Sequence, residues 1–166
     1  MAFEFVKETG KPIDCVDIDP KLIEFGKKFA EKAGIDNVRF IMDSLSSLSR
    51  LPKNYYDQIL LIDVLEHVNE DLESLLKINS FLIMDYILII SVQTPSYPKY
   101  FGYGFVKKDR SCKRRIHHRG LTRILNRSGF EIVEWSYHTN LLSPYFCQAG
   151  KGINSCGIVV KAKNVR

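Results

Sequence analysis

Apolar residues along this 166-residue chain fall in two rhythms, short unbroken runs and repeats at three and four, and the two alternate. The runs Ile13–Asp17, Val38–Met42, Gln58–Ile62 and Tyr86–Val92 predict buried strands. Between them, Phe3–Glu8 predicts a short helix closed by Gly10 and Pro12. Asp19 can cap a longer helix with Pro20 in its first turn, and Leu22, Phe25, Phe29 and Ala33 give that helix one buried stripe before Gly34 ends it. Asn69 can cap the next, with Glu70 and Asp71 in its first turn and Leu72, Leu75 and Leu76 facing inward. The run at Gln58–Ile62 is almost wholly apolar, as expected of a parallel strand covered on both faces.

Periodicity then lapses. Residues 93–117 carry Pro95, Tyr97, Pro98, Tyr100, Phe101, Tyr103 and Phe105 and read as a long aromatic loop. Leu121, Ile124 and Leu125 place a helix ending at Gly129, and Phe130–Tyr137 and Cys156–Lys163 are two closing strands. They flank a second loop, 138–155, with Pro144, Tyr145 and Phe146. Strands and helices in alternation predict one α/β domain over 1–166, a three-layer sandwich with a mostly parallel sheet.

Composition adds limits. With 45% apolar and 26% charged residues the chain reads as an ordinary soluble protein. The longest apolar stretch, Phe81 to Val92, contains Asp85 and is too short to span a bilayer, and no basic-then-apolar leader opens the chain. Cys15, Cys112, Cys147 and Cys156 have neither paired metal-ligand spacing nor a CxxC motif, so they read as reduced thiols in a cytoplasmic protein without a metal site. The net charge of +5 is uneven: Lys107 to Arg127 carries +8 and the rest sums to −3. That stretch suits phosphates on RNA, a nucleotide sugar or a lipid carrier, or is a solvated helix face and loop.

The candidate chemistry sits at strand ends. In an open parallel sheet, ligands bind beyond the carboxyl ends of the strands, and three successive strands here end in Asp17, Asp43 and Asp63. A carboxylate accepts from the two hydroxyls of a ribose, and a second suits an adenine amino group. The alternative is that Asp17 and Asp19 cap the following helix, Asp43 turns the chain and Asp63 caps the segment after its strand.

The order CVDIDP, VRFIMDS, YYDQILLIDVLEHV, ILIISVQTP and SGFEIVE resembles the class I S-adenosylmethionine-dependent methyltransferases, particularly small-molecule enzymes of the ubiquinone-biosynthesis type. The resemblance covers roughly residues 3–163, and DVLEHV is its most distinctive piece. It implies a Rossmann-like sheet in the order third, second, first, fourth, fifth, seventh, sixth, with the last strand antiparallel. It implies S-adenosyl-L-methionine as cofactor: Asp17 on the ribose hydroxyls, Ile18 on the adenine, Asp43 and Ser44 at the adenine edge, and Asp63, Val64 and Glu66 at the methionine end. The family's first strand and glycine-rich turn would precede Phe3 and are not present, so the domain is expected to be shortened at its amino end, with activity reduced or lost. The flanking strands at Ile13 and Gln58 would then pair directly or leave open edges, which favour self-association.

His67 is a candidate general base, or a histidine hydrogen-bonded at a strand-to-helix junction. His118, beside His117, either projects into a substrate pocket or is a partly exposed residue at a helix start. Tyr97, Tyr100, Phe101 and Tyr145 read as an apolar substrate lid or as plain loop packing. Two functions follow: methyl transfer to a small organic acceptor, or a non-catalytic methyltransferase-like remnant binding a partner chain or nucleic acid through 107–127.

Overall fold

The computed structural model describes residues 2–93, 116–138 and 157–165. The predicted lid residues Tyr97, Tyr100, Phe101 and Tyr145, and Cys112, Cys147 and Cys156, lie outside these. The chain divides into two compact units, Met1–Leu51 and Pro52–Arg166. Among the described residues no helix is long and apolar enough to cross a membrane.

The first unit holds helix α1 (Ala2–Thr9), strand β1 (Ile13–Asp17), helix α2 (Pro20–Lys32) and strand β2 (Val38–Met42). β1 and β2 pair in parallel, Ile13 with Val38 through Asp17 with Met42. Arg39 grips Asp14 across this pair with two hydrogen bonds, Nε to Oδ1 at 2.8 Å and Nη2 to Oδ2 at 2.5 Å. Asp19 caps α2 as expected, its carboxylate accepting from the Lys21 N–H at 2.8 Å, and Pro20 opens the helix where no N–H is needed.

The buried face of α2 differs from the expected one. Ile23, Gly26 and Ala30 are buried, whereas Leu22, Phe25 and Phe29 are 55%, 67% and 44% exposed, and Ala33 is exposed at the cap. The physical reason is Gly26. A Cβ there would lie 2.4 Å from Cε1 of Phe40, so the absent side chain lets the helix backbone settle onto the β2 ring. Only the narrow Ile23–Gly26–Ala30 stripe permits that approach. The larger rings remain at the margin, where Phe29 meets Phe3 with ring centroids 4.6 Å apart.

The second unit holds strand β3 (Tyr56–Ile62), a 3₁₀ turn (Leu65–His67), helix α3 (Asp71–Phe81), strand β4 (Leu82–Gln93), helix α4 (His118–Arg127), and strands β5 (Phe130–His138) and β6 (Gly157–Asn164). Its sheet runs β3-β4-β6-β5, with β3 parallel to β4 and β6 antiparallel to both neighbours. Leu88, Ile90, Val92, Val160 and Ala162 are buried, with Leu75, Ile78, Leu121 and Leu125 from the two helices. β4 begins four residues before the predicted strand, but its regular ladder starts at Ile87. Asp85 is in the left-handed region at φ 68° and pairs with Lys163 at 3.0 Å.

Two expectations for α3 are corrected. The helix starts at Asp71 after Glu70 rather than from an Asn69 cap, and no side chain caps it. Leu76 is 49% exposed, and Ile78 and Phe81 take its place in the core. Asn79 is also buried, and its Nδ2 donates to the carbonyls of Ser128 and Gly129 at 2.7 and 3.2 Å. The side chain thus satisfies acceptors at the end of α4, where Gly129 turns the chain at φ +80°.

Within each unit the strand order agrees with the corresponding part of the expected order, β2-β1 in the first and β3-β4-β6-β5 in the second. Among the described residues, β1 and β3 are each an edge of their own sheet. β3 accordingly is less covered than expected, with Leu61 its one buried residue.

The Gly26–Phe40 approach is testable. Gly26→Ala gains about 1 kcal/mol of helix propensity but overpacks the site at about 1–3 kcal/mol. A lower thermal midpoint is expected, recovered in Gly26→Ala/Phe40→Leu; a more stable single variant would show that the ring moves freely.

Candidate functional site

Parallel pairing delivers like strand ends to one edge, so β1 and β2 present Asp17 and Asp43 side by side. The Asp43 N–H donates to the Asp17 carbonyl at 3.2 Å and continues the ladder past Met42. Asp17 is partly buried, and its Oδ1 accepts from the Asp19 N–H at 2.8 Å. This bond aims the carboxylate, and no donor among the described residues takes Oδ2. Ile18, between the two aspartates, is 71% exposed. An acceptor beside an outward-facing aliphatic side chain suits a sugar diol carrying a flat heteroaromatic ring.

Asp43 works differently. Its Oδ1 accepts from Ser44 N–H at 2.8 Å, and its Oδ2 accepts from Ser49 N–H at 2.9 Å and from the Ser49 hydroxyl at 3.3 Å. The carboxylate therefore organises the turn 44–49, in which buried Leu48 is held in the left-handed region at φ 40°. With the Ser47 hydroxyl added, four donors match the four lone pairs of the carboxylate, so Asp43 is taken up by its own turn. Partial burial acts to raise the Asp43 pKa, and the hydrogen bonds from Ser44, Ser47 and Ser49 outweigh it, leaving the carboxyl below its ordinary value.

In the second unit, Asp63 ends β3 in the left-handed region at φ 51°. Its N–H donates to the Ser91 carbonyl at 3.1 Å, and the Ser91 hydroxyl donates to Asp63 Oδ1. Aspartate visits this conformation more readily than most residues, and the serine holds it there. Asp63 is exposed and Ser91 buried. Val64 precedes the 3₁₀ turn, Glu66 within it is fully buried, and His67 is half-buried with its N–H donating to the Val64 carbonyl at 2.9 Å.

Ser91 was given no role by sequence reasoning. The signal was present, since a parallel partner for Ile62 at the end of the next apolar strand must lie beside Asp63. His118 is exposed at the start of α4, stacked on Trp135 with ring centroids 3.9 Å apart. A hollow of about 310 Å³ lies beside the amino end of β3 and the middle of β4, lined by Asp57, Gln58, Tyr86, Ile87, Ile89 and Lys161. Neither Asp63 nor Ser91 lines it.

The Asp43 turn has a definite pH signature. A carboxyl whose folded pKa lies below its unfolded value contributes stability above that unfolded value, about 3.9, and loses it as pH falls through the folded pKa. Thermal midpoints between about pH 6 and pH 2 should thus fall less steeply at the acid end in Asp43→Asn, from a lower starting value. Parallel curves for the two proteins would contradict this role.

Comparison with known proteins follows the same lines. A family model described as a methyltransferase domain matches residues 1–84, half of the chain. No curated protein matches. Among solved structures, the cyclase SpnF superposes with a TM-score of 0.75 at 16% identity, over 98% of this chain and 69% of its own. An S-adenosylmethionine-dependent methyltransferase from Methanosarcina mazei superposes with a TM-score of 0.74 at 17% identity, over 99% and 87%. The 1,6-didemethyltoxoflavin-N1-methyltransferase of Burkholderia thailandensis, solved with its namesake compound and S-adenosylhomocysteine, gives 0.68 at 17%, over 99% and 66%. At these identities the structures establish a shared fold, and one of them is a cyclase, so the fold alone does not select the reaction. With the family model matched over half its length, the chain belongs to the methyltransferase domain family.

Proposed function

We propose that this protein transfers a methyl group from S-adenosyl-L-methionine to a small organic acceptor at oxygen, nitrogen or carbon. The observation that carries the reading is the aimed Asp17 carboxylate beside exposed Ile18, at the carboxyl end of a parallel strand in a methyltransferase-family chain. The donor set fits the nucleoside half of the cofactor: Asp17 Oδ2 accepts from the ribose hydroxyls, Ile18 covers a face of the adenine, and the turn that Asp43 holds, with Ser44, meets its edge. Asp63, Val64 and Glu66 are the candidates for the amino-acid half. The bound cofactor supplies an electrophilic methyl on its sulfonium.

The chain's own residues then have modest tasks. Methyl transfer needs alignment of the acceptor with the methyl carbon, and in some acceptors a base for the leaving proton. His67 is the candidate base, and the Asp63–Ser91 hydrogen bond fixes the strand end from which its turn departs.

Transfer of labelled methyl from S-adenosyl-L-methionine to a panel of small phenols, amines and carbon acids tests the reaction. With an acceptor that loses a proton, His67→Gln should lower kcat about a hundredfold or more with KM little changed. An unaffected kcat would remove His67 from the chemistry.

Nucleoside binding is tested by calorimetry with S-adenosylhomocysteine. Asp17→Ala removes charge-assisted hydrogen bonds worth about 1.5–3 kcal/mol each, so affinity should fall at least tenfold. Asp19→Ala should cost about 1 kcal/mol of stability, through the lost cap of α2, with little change in affinity. Equal losses in both would contradict the assignment of Asp17 to the ribose.

A further inference from the structure

Ser91 is the one polar residue in the run Ile87–Val92 of β4, and it is only 5% exposed. A buried hydroxyl in an apolar strand costs stability unless it is hydrogen-bonded. Its partner is Asp63. The Asp63 N–H donates to the Ser91 carbonyl at 3.1 Å and to the Ser91 Oγ at 3.2 Å, and the Ser91 hydroxyl donates in turn to Asp63 Oδ1. One serine thus holds both the backbone and the side chain of Asp63. The conformation it holds is a strained one, because Asp63 lies in the left-handed region at φ 51°. Glycine would make this turn without the steric cost, so the turn alone does not call for a carboxylate. Burial does not call for one either, since Asp63 is exposed. A strained, exposed carboxylate clamped by a buried serine points to a ligand.

The clamp also decides which oxygen is on offer. Oδ1 is engaged by Ser91, and no donor among the described residues takes Oδ2. An aimed carboxylate oxygen suits a cationic N–H donor and repels an anion. The amino-acid half of S-adenosyl-L-methionine carries one group of each kind, an α-ammonium and an α-carboxylate. Only the ammonium matches.

We propose that Ser91 is a positioning residue for the cofactor, aiming Asp63 Oδ2 at the α-ammonium of S-adenosyl-L-methionine. This rests on the methyl-transfer reading and deepens it, assigning one group of the cofactor to one carboxylate oxygen. Ser91 acts through Asp63. Without the serine hydroxyl, Oδ1 loses its tether and the carboxylate turns freely, so the ammonium meets a group that is no longer aimed.

Calorimetry on the full chain with three probes tests the assignment: S-adenosylhomocysteine, its analogue with hydrogen in place of the α-ammonium, and adenosine, which lacks the amino-acid half. The unmodified protein should bind S-adenosylhomocysteine about tenfold or more tighter than the analogue. In Ser91→Ala that ratio should fall below about threefold, with adenosine affinity unchanged within about twofold. Ser91→Thr keeps the hydroxyl and should restore the ratio. Asp63→Asn tolerates the left-handed region but loses the charge, and should abolish it. A role in folding alone would instead weaken all three probes together. Where the unmodified protein binds S-adenosylhomocysteine, four results overturn the proposal and leave the methyl-transfer reading standing. They are an equal ratio in Ser91→Ala, a Ser91→Thr that behaves as Ser91→Ala, an Asp63→Asn that keeps the ratio, and a loss of adenosine binding in step with the rest. An unmodified protein that binds neither S-adenosylhomocysteine nor adenosine overturns both.

Discussion

The feature on which the candidate site depends is parallel register. In an antiparallel pair the carboxyl end of one strand lies beside the amino end of its neighbour, and Asp17 and Asp43 would be separated by the length of the strands. Parallel pairing of β1 with β2 brings the two ends together, and the Asp43 N–H bonded to the Asp17 carbonyl locks them there. The same rule in the second unit sets Ser91 beside Asp63. Parallel pairs require crossover connections, which the α2 and α3 helices supply. The helices therefore exist in part to return the chain so that like ends can meet.

That arrangement leaves strand edges without a ladder partner among the described residues. β1 pairs with β2 and β3 with β4, each on one side only among the described residues. Exposed strand edges are templates for further pairing, and short edge strands limit that tendency. β1 has only five residues, so this edge offers a brief template. β6 solves the opposite problem. Inserted antiparallel between β4 and β5, it is paired on both sides and carries no edge of its own.

Strands were more legible in the sequence than helix faces. A strand announces itself by continuous apolar residues, and β1 and β2 occupy the expected residues without change. α2 contained two apolar stripes, and the larger one, Leu22–Phe25–Phe29, drew the prediction because bulk dominates a periodicity argument. Packing chose the other because it contains Gly26, whose value lies in what it lacks. Leu76 failed for a related reason, since α3 runs on to Ile78 and Phe81 and rotates its buried arc away. At the site, the strand-end aspartates could be read from position alone. Their division of labour could not, because it depends on which backbone N–H groups reach each carboxylate. Asp17 takes one such bond and Asp43 two, with two serine hydroxyls besides. Ser91 required the register of a neighbouring strand 28 residues away.

The central claim is that the carboxyl ends of β1 and β2 hold a nucleoside. Titrating S-adenosylhomocysteine into ¹⁵N-labelled protein and following amide shifts tests it most directly. The account predicts that the largest shifts fall on Asp17, Ile18, Asp19, Asp43 and Ser44, at saturable ligand concentrations. Shifts confined to the hollow around Gln58, Tyr86 and Lys161, or absent from the β1 and β2 ends, would contradict it.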